Sequence, residues 1–282
     1  MERAVEGARK PYLSIRPTRG WAALDLPGVW KFRDLLLALA GRDVKLRYKQ
    51  TALGIAWVVL QPLMASGIFT FVFGFIAKMH SDKPFLLVSF VGLLGWNLFN
   101  TTVTKASTCL IGNSQLVSKI YFPRLILPLS TIPSALIDFL VALPILVLLM
   151  LAYRVAPPAA LALIPLWIVI LLMLSAGVGF WASALTVGYR DVQYIVPVIL
   201  QMLLYASPVP YDVPSKAQLG RYYTLYHLNP LAPVIEGFRW SLIGTERPEW
   251  QFVAYAAAVS LVFLFAGAFM FKRMERKFAD VI

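Results

Sequence analysis

The chain has 282 residues, of which 59% are hydrophobic and only 14% are charged, and its formal net charge is +12. A soluble domain carries about 25% charged and about 45–50% apolar residues, so this composition excludes an ordinary soluble protein. The single cysteine, Cys109, excludes an internal disulfide bond and a metal site built from cysteines. No nucleic-acid partner is expected, because membrane topology explains the basic charge better.

Six long segments are apolar enough to cross a bilayer, which needs roughly 20 apolar residues per helix. They contain no Asp, Glu, Lys or Arg, with the one exception of Asp138. The segments are Leu53–Ala77, Phe85–Val103, Leu125–Tyr153, Leu161–Val187, Val192–Val209 and Trp250–Phe271. None shows the alternation of apolar and polar residues that marks a membrane β-strand. The sequence therefore predicts an all-α integral membrane protein with six transmembrane helices.

The basic residues indicate how these helices are oriented. With a cytoplasmic N-terminus, 19 of the 26 Lys and Arg residues fall on the cytoplasmic side, including Lys105 near the second loop, and seven fall outside. This split follows the positive-inside rule, whereas the opposite orientation would break it. We therefore expect both termini in the cytoplasm. The first 50 residues hold no apolar stretch typical of a signal peptide, so we expect insertion through the spans themselves.

The region before the first span has two parts. Residues 1–28 are of mixed composition and are expected to form a cytoplasmic tail, while residues 29–282 are expected to form one membrane domain. Within residues 29–41, polar residues such as Lys31 and Asp34 recur at helical spacing, and apolar residues cover the other side. This pattern predicts an amphipathic helix at the membrane interface. The alternative is a helix packed on a soluble domain.

Four basic residues follow this helix, namely Arg42, Lys45, Arg47 and Lys49. Arg42, Lys45 and Lys49 recur at a spacing that places them on one helix face. One interpretation is an anchor that holds the first span at an anionic membrane leaflet. The other is a cytoplasmic entrance that attracts a phosphorylated substrate.

The links between the spans differ in character. Leu110–Arg124 is too polar to cross the membrane, so we expect either a short helix across the cytoplasmic face or a solvated loop. Asp212–Glu249 is an external link, and its part Leu228–Ile243 is apolar but interrupted by prolines and charges. This part predicts re-entrant helices that dip into the bilayer without crossing it. Glu236 and Arg239 are three positions apart, so we expect them to pair with each other or across an outer gate.

The chain lacks the patterns of an enzyme. No Gly-Lys pair occurs, so there is no Walker A loop for a nucleotide, and no two carboxylates have the spacing that acid–base catalysis uses. His80 and His227 both fall in predicted external loops. Asp138 is the one charged residue within a predicted span. It either forms a structural hydrogen bond with a hydroxyl of a neighbouring helix or has a functional role. One such group argues against a proton-driven transporter.

Aromatic residues crowd the ends of the spans. Phe69 and Phe73 lie in the outer half of the first span, Tyr205 lies near the end of the fifth, and Tyr211 follows it. Membrane-interface belts use such residues. A sugar channel would use them too, because the C–H faces of sugars stack on aromatic rings. For Tyr211 the two readings are an interfacial anchor and a side chain at the mouth of an outer gate.

Six short motifs occur in order along the chain. They are Arg42-Asp43-x-Lys45-x-Arg47-Tyr48-Lys49-Gln50-Thr51-x-Leu53-Gly54 followed by Trp57 and Gln61-Pro62, Gly92-Leu93-x-x-Trp96-x-x-Phe99, Asn113-x-x-Leu116-Val117-x-Lys119-x-Tyr121-Phe122-Pro123-Arg124, Tyr189-Arg190-Asp191-Val192, Ser207-Pro208-Val209-x-Tyr211 and Asn229-Pro230-Leu231-x-x-x-Ile235-Glu236-Gly237-x-Arg239. Together they resemble the permease subunits of ABC-type polysaccharide and polyol-phosphate exporters, which export O-antigen, capsule or teichoic acid. The resemblance covers roughly residue 29 to the C-terminus.

The resemblance implies a homodimeric permease in the bacterial inner membrane, bound to two copies of a separate ATPase that holds ATP and Mg²⁺. The chain itself would hold no cofactor. The expected contacts with the ATPase are Asn113, Lys119, Tyr121, Phe122 and Arg124. The channel would form at the dimer interface, largely from the first and fifth spans. Its expected lining and gate residues are Trp57, Phe69, Phe73, Tyr205, Tyr211, Glu236 and Arg239.

The implied cargo is a polysaccharide carried on undecaprenyl diphosphate, with O-antigen as the expected glycan. Two other classes also fit a bundle of membrane helices. One is a secondary transporter or channel that needs no ATPase, which dependence on a proton gradient would reveal. The other is a membrane-embedded glycan or lipid transferase, which turnover of a lipid-linked sugar in vitro would reveal.

Overall fold

The structure, a computed structural model, describes residues 26–49, 54, 56–79, 81–212 and 220–281. Every regular element in these ranges is a helix, and no strand occurs among them. The all-α prediction is therefore confirmed. Most of the predicted tail, residues 1–28, lies outside the described residues, as do His80 and part of the external link.

The structure contains eleven α-helices within the described residues, named here in chain order. They are α1 (Leu26–Lys31), α2 (Arg33–Tyr48), α3 (Ala56–Phe69), α4 (Phe85–Gly112), α5 (Ser114–Lys119), α6 (Ile126–Ala152), α7 (Ile164–Gly188), α8 (Val192–Ala206), α9 (Tyr223–His227), α10 (Leu231–Ile243) and α11 (Trp250–Val281). α3 continues directly into a π-helical segment, Thr70–Ile76, and a 3-10 segment, Ala159–Leu163, leads into α7.

Five helical stretches in the described part of the chain are long and apolar enough to cross a membrane. They are Ala56–Ile76, Phe85–Gly112, Ile126–Ala152, Ala159–Gly188 and Trp250–Glu275. The predicted fifth span corresponds to α8, which has 15 residues. Its length of about 22 Å is less than the bilayer core of about 30 Å. The chain is a multi-pass membrane protein, and six crossings stay a prediction.

Two helices are longer than the apolar runs that predict them. α4 passes its predicted end at Val103 and continues to Gly112, and α11 passes Phe271 and continues to Val281. Threonine, lysine and glutamate are compatible with a helix, so hydropathy marks only the apolar part of each element. The assignment of Lys105 to the region of a loop is therefore wrong, because Lys105 lies within α4.

The amphipathic pattern before the first span corresponds to helices α1 and α2, which meet at Phe32. Their apolar residues fall into a covered group and an exposed group, and Trp30, Leu37 and Leu46 belong to the exposed group. Leu39 is buried in an apolar cluster with the ends of α4, α7 and α11 and the start of α6, and four further residues pack against it: Val29, Phe32, Leu35 and Leu36. We call this region the α2 end of the bundle. The protein's own helices therefore cover one side of α1 and α2, and the position of these helices at the membrane interface stays a prediction.

The main core lies around α4, with α6, α7 and α10 packed against it. α7 and α11 make a close crossing at two glycines. A Cβ atom on Gly177 would overlap the backbone of Phe263 and Leu264, and a Cβ atom on Gly267 would overlap the carbonyl of Gly177. The absence of both side chains lets the two helix backbones touch, so α7 and α11 form one tightly packed unit.

α10 lies at the opposite end of the bundle from α2. It has 13 residues and is about 20 Å long, too short to cross a bilayer. Nearly all of its side chains are buried against α4 and α7. It ends at Gly244, whose φ of 69° lies in the left-handed region that favours glycine. The depth of α10 in the membrane stays a prediction.

Candidate functional site

Three of the four predicted entrance residues surround one open groove on α2. The groove has a volume of about 570 Å³ and is lined by Leu37, Ala38, Gly41, Arg42, Lys45, Leu46 and Lys49. Its basic residues are exposed, and so are the apolar residues that line it with them, Leu37, Ala38 and Leu46. Such a surface combines positive charge with apolar area. The structure therefore brings Arg42, Lys45 and Lys49 together as expected from their spacing.

The fourth residue, Arg47, points to α6 instead. Its guanidinium Nη1 donates to the carboxylate of Asp138. Lys105 of α4 approaches the same carboxylate, with Nζ 3.8 Å from Oδ2, and also donates to the Ser134 hydroxyl at 2.6 Å. The Asp138 side chain is only 13% exposed. Buried charge at membrane depth is costly unless it is paired, and this cluster pairs it by joining α2, α4 and α6.

This geometry corrects the expectation for Asp138. Its partners include two cations rather than a helix hydroxyl alone. Sequence reasoning missed Lys105 because it follows the apolar run of the second span. It missed the contact of Arg47 because 91 positions separate that residue from Asp138.

Asn113 links two elements at the α2 end. Its side-chain Oδ1 accepts a hydrogen bond from Arg42 Nη2 at 2.8 Å, and its Nδ2 donates to the carbonyl of Cys109 at 2.8 Å. Arg42 also pairs with Asp43 at 3.1 Å. The amide of Asn113 therefore connects α2 to the end of α4 within this chain.

The predicted coupling segment has an exposed part and a buried part. It includes the short helix α5, which the sequence offered as one of two alternatives. Lys119 is exposed, as are Ile120 and Tyr121, whose exposed fractions are 56% and 65%. Phe122 is 4% exposed and packs in the apolar cluster at the α2 end. Among residues 119–122, the side chains of Lys119, Ile120 and Tyr121 are therefore available for contact with another protein, whereas that of Phe122 is not.

Arg124 connects this segment to α11. Its Nη1 donates to the carbonyl of Glu275 at 2.8 Å, and its backbone N–H donates to the Glu275 carboxylate at 3.2 Å. Glu275 also pairs with Lys272 at 2.7 Å. Arg124 thus holds the segment in place, and its expected contact with the ATPase stays a prediction.

The first span leaves one of its faces uncovered. Exposed residues recur there every three or four positions and form a single stripe along α3 and the π-helical segment. They are Trp57, Gln61, Met64, Ile68, Phe71 and Phe75. Only 11% of the apolar stretch of this span is buried within the described chain. Trp57, one of the expected channel residues, belongs to this open stripe.

Phe69 and Phe73 lie on the other side of the same span. Their ring centroids are 6.1 Å apart, and Phe73 is also 6.1 Å from the ring of Tyr211. Phe69 packs against the main core, and the Tyr211 hydroxyl donates to the carbonyl of Tyr205 at 3.1 Å. These residues therefore form an aromatic contact between the first span and the segment after α8. Trp57 does not belong to it.

α8 also has one open face. Its exposed residues fall at helical spacing and are Tyr194, Ile195, Val198, Ile199, Met202 and Tyr205. Tyr205, with 52% of its surface exposed, lies at the end of this face. The first span and α8 thus each have a long uncovered apolar face with aromatic residues on it, and α11 also exposes apolar and aromatic residues, among them Val262, Phe265 and Phe269.

Arg239 is almost completely buried, with 1% of its surface exposed. Its Nε donates to the carbonyl of Val88 at 3.1 Å. Its Nη1 and Nη2 donate to the carbonyls of Tyr211 and Val209 at 2.9 and 3.1 Å. The carboxylate of Asp212 is 3.8 Å away. The guanidinium therefore holds the irregular segment after α8 against α4 and α10.

Glu236 pairs with His227 rather than with Arg239. His227 Nε2 is 2.9 Å from the Glu236 carboxylate, and Nδ1 is 2.9 Å from the carbonyl of Tyr223. Burial by itself lowers the pKa of His227, but these two acceptors raise it more, and the net pKa lies above 6.5. The direct pairing of Glu236 with Arg239 is therefore wrong, as is the assignment of His227 to a loop, since it ends α9 and is buried.

Comparison with known proteins gives a family match over most of the chain. Residues 34–243 match the family described as "ABC-2 type transporter". The match runs from α2 to the end of α10 and so includes the basic groove, the charged cluster and the coupling segment.

Three relatives illustrate the range of similar proteins. The O-antigen export system permease protein RfbA of Myxococcus xanthus is 28% identical over 255 residues, which are 90% of this chain and 97% of the relative. The RfbA protein of Klebsiella pneumoniae is 25% identical over 88% of this chain and 95% of its own length. The polysialic acid transport protein KpsM of Escherichia coli is 26% identical over 84% of this chain and 92% of its own length.

Proposed function

Because this chain belongs to the ABC-2 type transporter family, we propose that it is the membrane-spanning subunit of an ATP-driven exporter of lipid-linked polysaccharide. O-antigen on undecaprenyl diphosphate is the proposed cargo. The main support is that a relative named as an O-antigen export permease aligns along 97% of its own length. A polysialic acid transport protein aligns nearly as fully, so the class of exported polymer has more support than any one glycan.

ATP hydrolysis takes place in a separate partner subunit in this proposal. The chain contains no Gly-Lys pair and hence no Walker A loop. Two copies of the permease assemble with two copies of the ATPase in the bacterial inner membrane. In this proposal the second copy contacts the open faces of α3 and α8, and lipid covers the other exposed apolar faces.

The α2 end faces the cytoplasm in this arrangement, as the distribution of basic residues favours. The groove formed with Arg42, Lys45 and Lys49 then receives the diphosphate, and its exposed apolar residues contact part of the lipid. Charge-assisted contacts with phosphate are stronger than neutral ones. Arg47 acts differently from the other three, because its guanidinium already contacts Asp138.

The partner ATPase docks on the exposed surface of Lys119, Ile120 and Tyr121. Binding of ATP draws the two ATPase subunits together, and the permease helices follow as rigid bodies. α2 is the connecting element. It is joined to α4 through Arg42 and Asn113 and to α6 through Arg47 and Asp138, so a displacement of α2 reaches two spans directly.

The outer end of the path is closed by the segment after α8. Tyr211 lies there in contact with the first span through Phe73, and Arg239 holds the backbone of this segment. The gate opens in this proposal when α3 and α8 separate. Aromatic contacts that are individually weak permit release of the glycan.

The test is a complementation experiment with a tagged copy of the permease in a strain that lacks its own. We expect an ATPase to co-purify with the tagged protein and surface glycan to return only when both subunits are present. A catalytically inactive ATPase should abolish the glycan while complex formation persists. Export that persists with the inactive ATPase and stops on collapse of the proton gradient would contradict the proposal and favour a secondary transporter.

A further inference from the structure

α4 has its polar residues on one face and its apolar residues on the other. Between Leu87 and Leu110, all positions are buried except six. These six positions are all polar, Thr108 being exposed and the other five partly exposed: Asn97, Asn100, Thr101, Thr104, Lys105 and Thr108. We call them the polar stripe. Every apolar side chain of this stretch is buried, whereas a lipid-facing surface would expose apolar side chains.

The spacing of the polar stripe places it on a single helix face. The six positions follow one another at intervals of three and one, so they share one side of α4. The stripe is about 16 Å long and runs from the middle of the span to its α2 end. Lys105, near that end, lies in the cluster with Asp138 and Arg47.

The hydrogen bonds of α4 differ between its two faces. On the buried face, Thr102 donates to the carbonyl of Leu98 at 2.7 Å, and Ser107 donates to the carbonyl of Thr104 at 2.8 Å. On the polar stripe, Thr108 makes only long contacts with backbone carbonyls, at 3.4 and 3.5 Å. Within the described part of the chain, four side chains of the stripe form no hydrogen bond: Asn97, Asn100, Thr101 and Thr104.

Lipid is an unsuitable neighbour for such a face. Hydrocarbon offers no hydrogen-bond partner, so free amides and hydroxyls are strongly disfavoured there. The open surface of α6 shows what a lipid-compatible face of this protein contains, since Leu140, Val147, Leu148 and Leu151 are exposed on it. The polar stripe therefore requires water or a polar ligand.

We propose that the polar stripe of α4 is a hydrogen-bonding track for the hydroxyl groups of the exported polysaccharide. This inference rests on the proposed function and adds a third element to a channel expected mainly from the first and fifth spans. Asparagine amides and threonine hydroxyls both donate and accept hydrogen bonds, as sugar hydroxyls do. Several similar, uncharged groups in a row exchange partners easily, so the polymer slides without a strong resting position.

The first arm of the test measures water access independently of export. Single cysteines replace Asn100 and Thr104 in a Cys109→Ser background, with Leu148→Cys on the open face of α6 as the control. A charged methanethiosulfonate reagent is applied to inside-out vesicles that contain the complete transporter. We expect the two stripe cysteines to react and the control to stay unmodified. Unreactive stripe cysteines would mean that lipid or a second copy covers this face, and would overturn the proposal.

The second arm measures export with substitutions of nearly equal shape. Thr101→Val combined with Thr104→Val removes two hydroxyls of the stripe, and Thr102→Val removes a buried hydroxyl from the same turn of α4. We expect surface glycan to appear about five- to tenfold more slowly in the double variant, at equal abundance in the membrane, and near the wild-type rate with Thr102→Val. Equal rates for the double variant and the wild type would overturn the track. Absence of ATPase-dependent export by the wild type would instead refute the proposed function.

Discussion

Replacement of Arg239 by methionine should destabilise the protein severely. The side chain keeps a similar length but loses its charge and all five donors. Three backbone carbonyls then lose their partner, and Asp212 loses a nearby cation. Each hydrogen bond from a charged donor contributes about 1.5–3 kcal/mol. The variant no longer buries a charged guanidinium, and this gain offsets part of the lost hydrogen-bond energy. Removal of one partner from a buried charged pair typically has a net cost of about 3–5 kcal/mol.

The loss is measurable as a lower apparent Tm of the purified protein in detergent or nanodiscs. For a chain of this size, 1 kcal/mol corresponds to about 2–4 °C, so Arg239→Met should lower Tm by about 10 °C. Arg239→Lys should give an intermediate loss, because one ammonium group cannot reach the three carbonyls that the planar fork reaches. Arg33→Met, at an exposed position, is the control. An Arg239→Met protein with the Tm of the control would refute this account of the segment after α8.

Three further predictions concern other parts of the bundle. Gly177→Ala should lower Tm by several degrees, because its Cβ meets backbone rather than a movable side chain, and overpacking costs about 1–3 kcal/mol. Phe122→Ala should lower the free energy of unfolding by about 3–5 kcal/mol in a thermal unfolding assay, since it leaves a cavity in a buried cluster. Tyr121→Ala should leave Tm unchanged and weaken co-purification of the ATPase. The stability contributed by His227 should be complete below pH 6.5 and disappear as the pH rises through its raised pKa, so wild-type Tm should fall over that range more than the Tm of His227→Gln.

Each of these predictions has a matched control. Gly188→Ala places the same methyl group where nothing lies within 4 Å, and an equal loss in both variants would argue against the close crossing of α7 and α11. A Phe122→Ala protein of wild-type Tm that no longer binds the ATPase would show that this ring is a docking residue after all. Parallel pH profiles of the wild type and His227→Gln would exclude a stabilising pair between His227 and Glu236.

The span pattern could be predicted from the sequence because charge is absent from long stretches, and the bilayer imposes one length on them. Helix ends could not, since a helix continues through polar residues as long as its backbone bonds form. The second span shows the consequence. Its apolar run ends at Val103, and the helix carries Lys105 beyond that point into a charged cluster.

The sequence shows which charged residues are buried more readily than it shows which residues pair with them. Asp138 stands out in the sequence, but Arg47 reaches it from a helix far away along the chain. Glu236 and Arg239 share a helix face, yet each has a better partner in another element. Local spacing shows which residues are near one another, whereas the lowest free energy depends on every donor and acceptor that the fold brings close.

The positions of the aromatic residues around the axis of the first span show which of them can share a surface, which composition does not show. Trp57 and Phe69 are twelve positions apart, which on a helix with 3.6 residues per turn corresponds to about 120°. The two rings therefore cannot line the same surface. Phe69 packs on the core and Trp57 lies on the open stripe, so helical position divides the expected channel residues into two groups.

The glycine crossing between α7 and α11 limits which parts of the protein can move. The backbones touch at Gly177 and Gly267, where no side chain could be inserted without a clash, so we expect α7 and α11 to move together as one rigid unit. In the proposed mechanism, the movements pass through α2 to α4 and α6 and open the gate between α3 and α8. Distances between spectroscopic labels on α11 and on α3 would therefore measure how far the first span moves relative to the α7–α11 unit during a transport cycle.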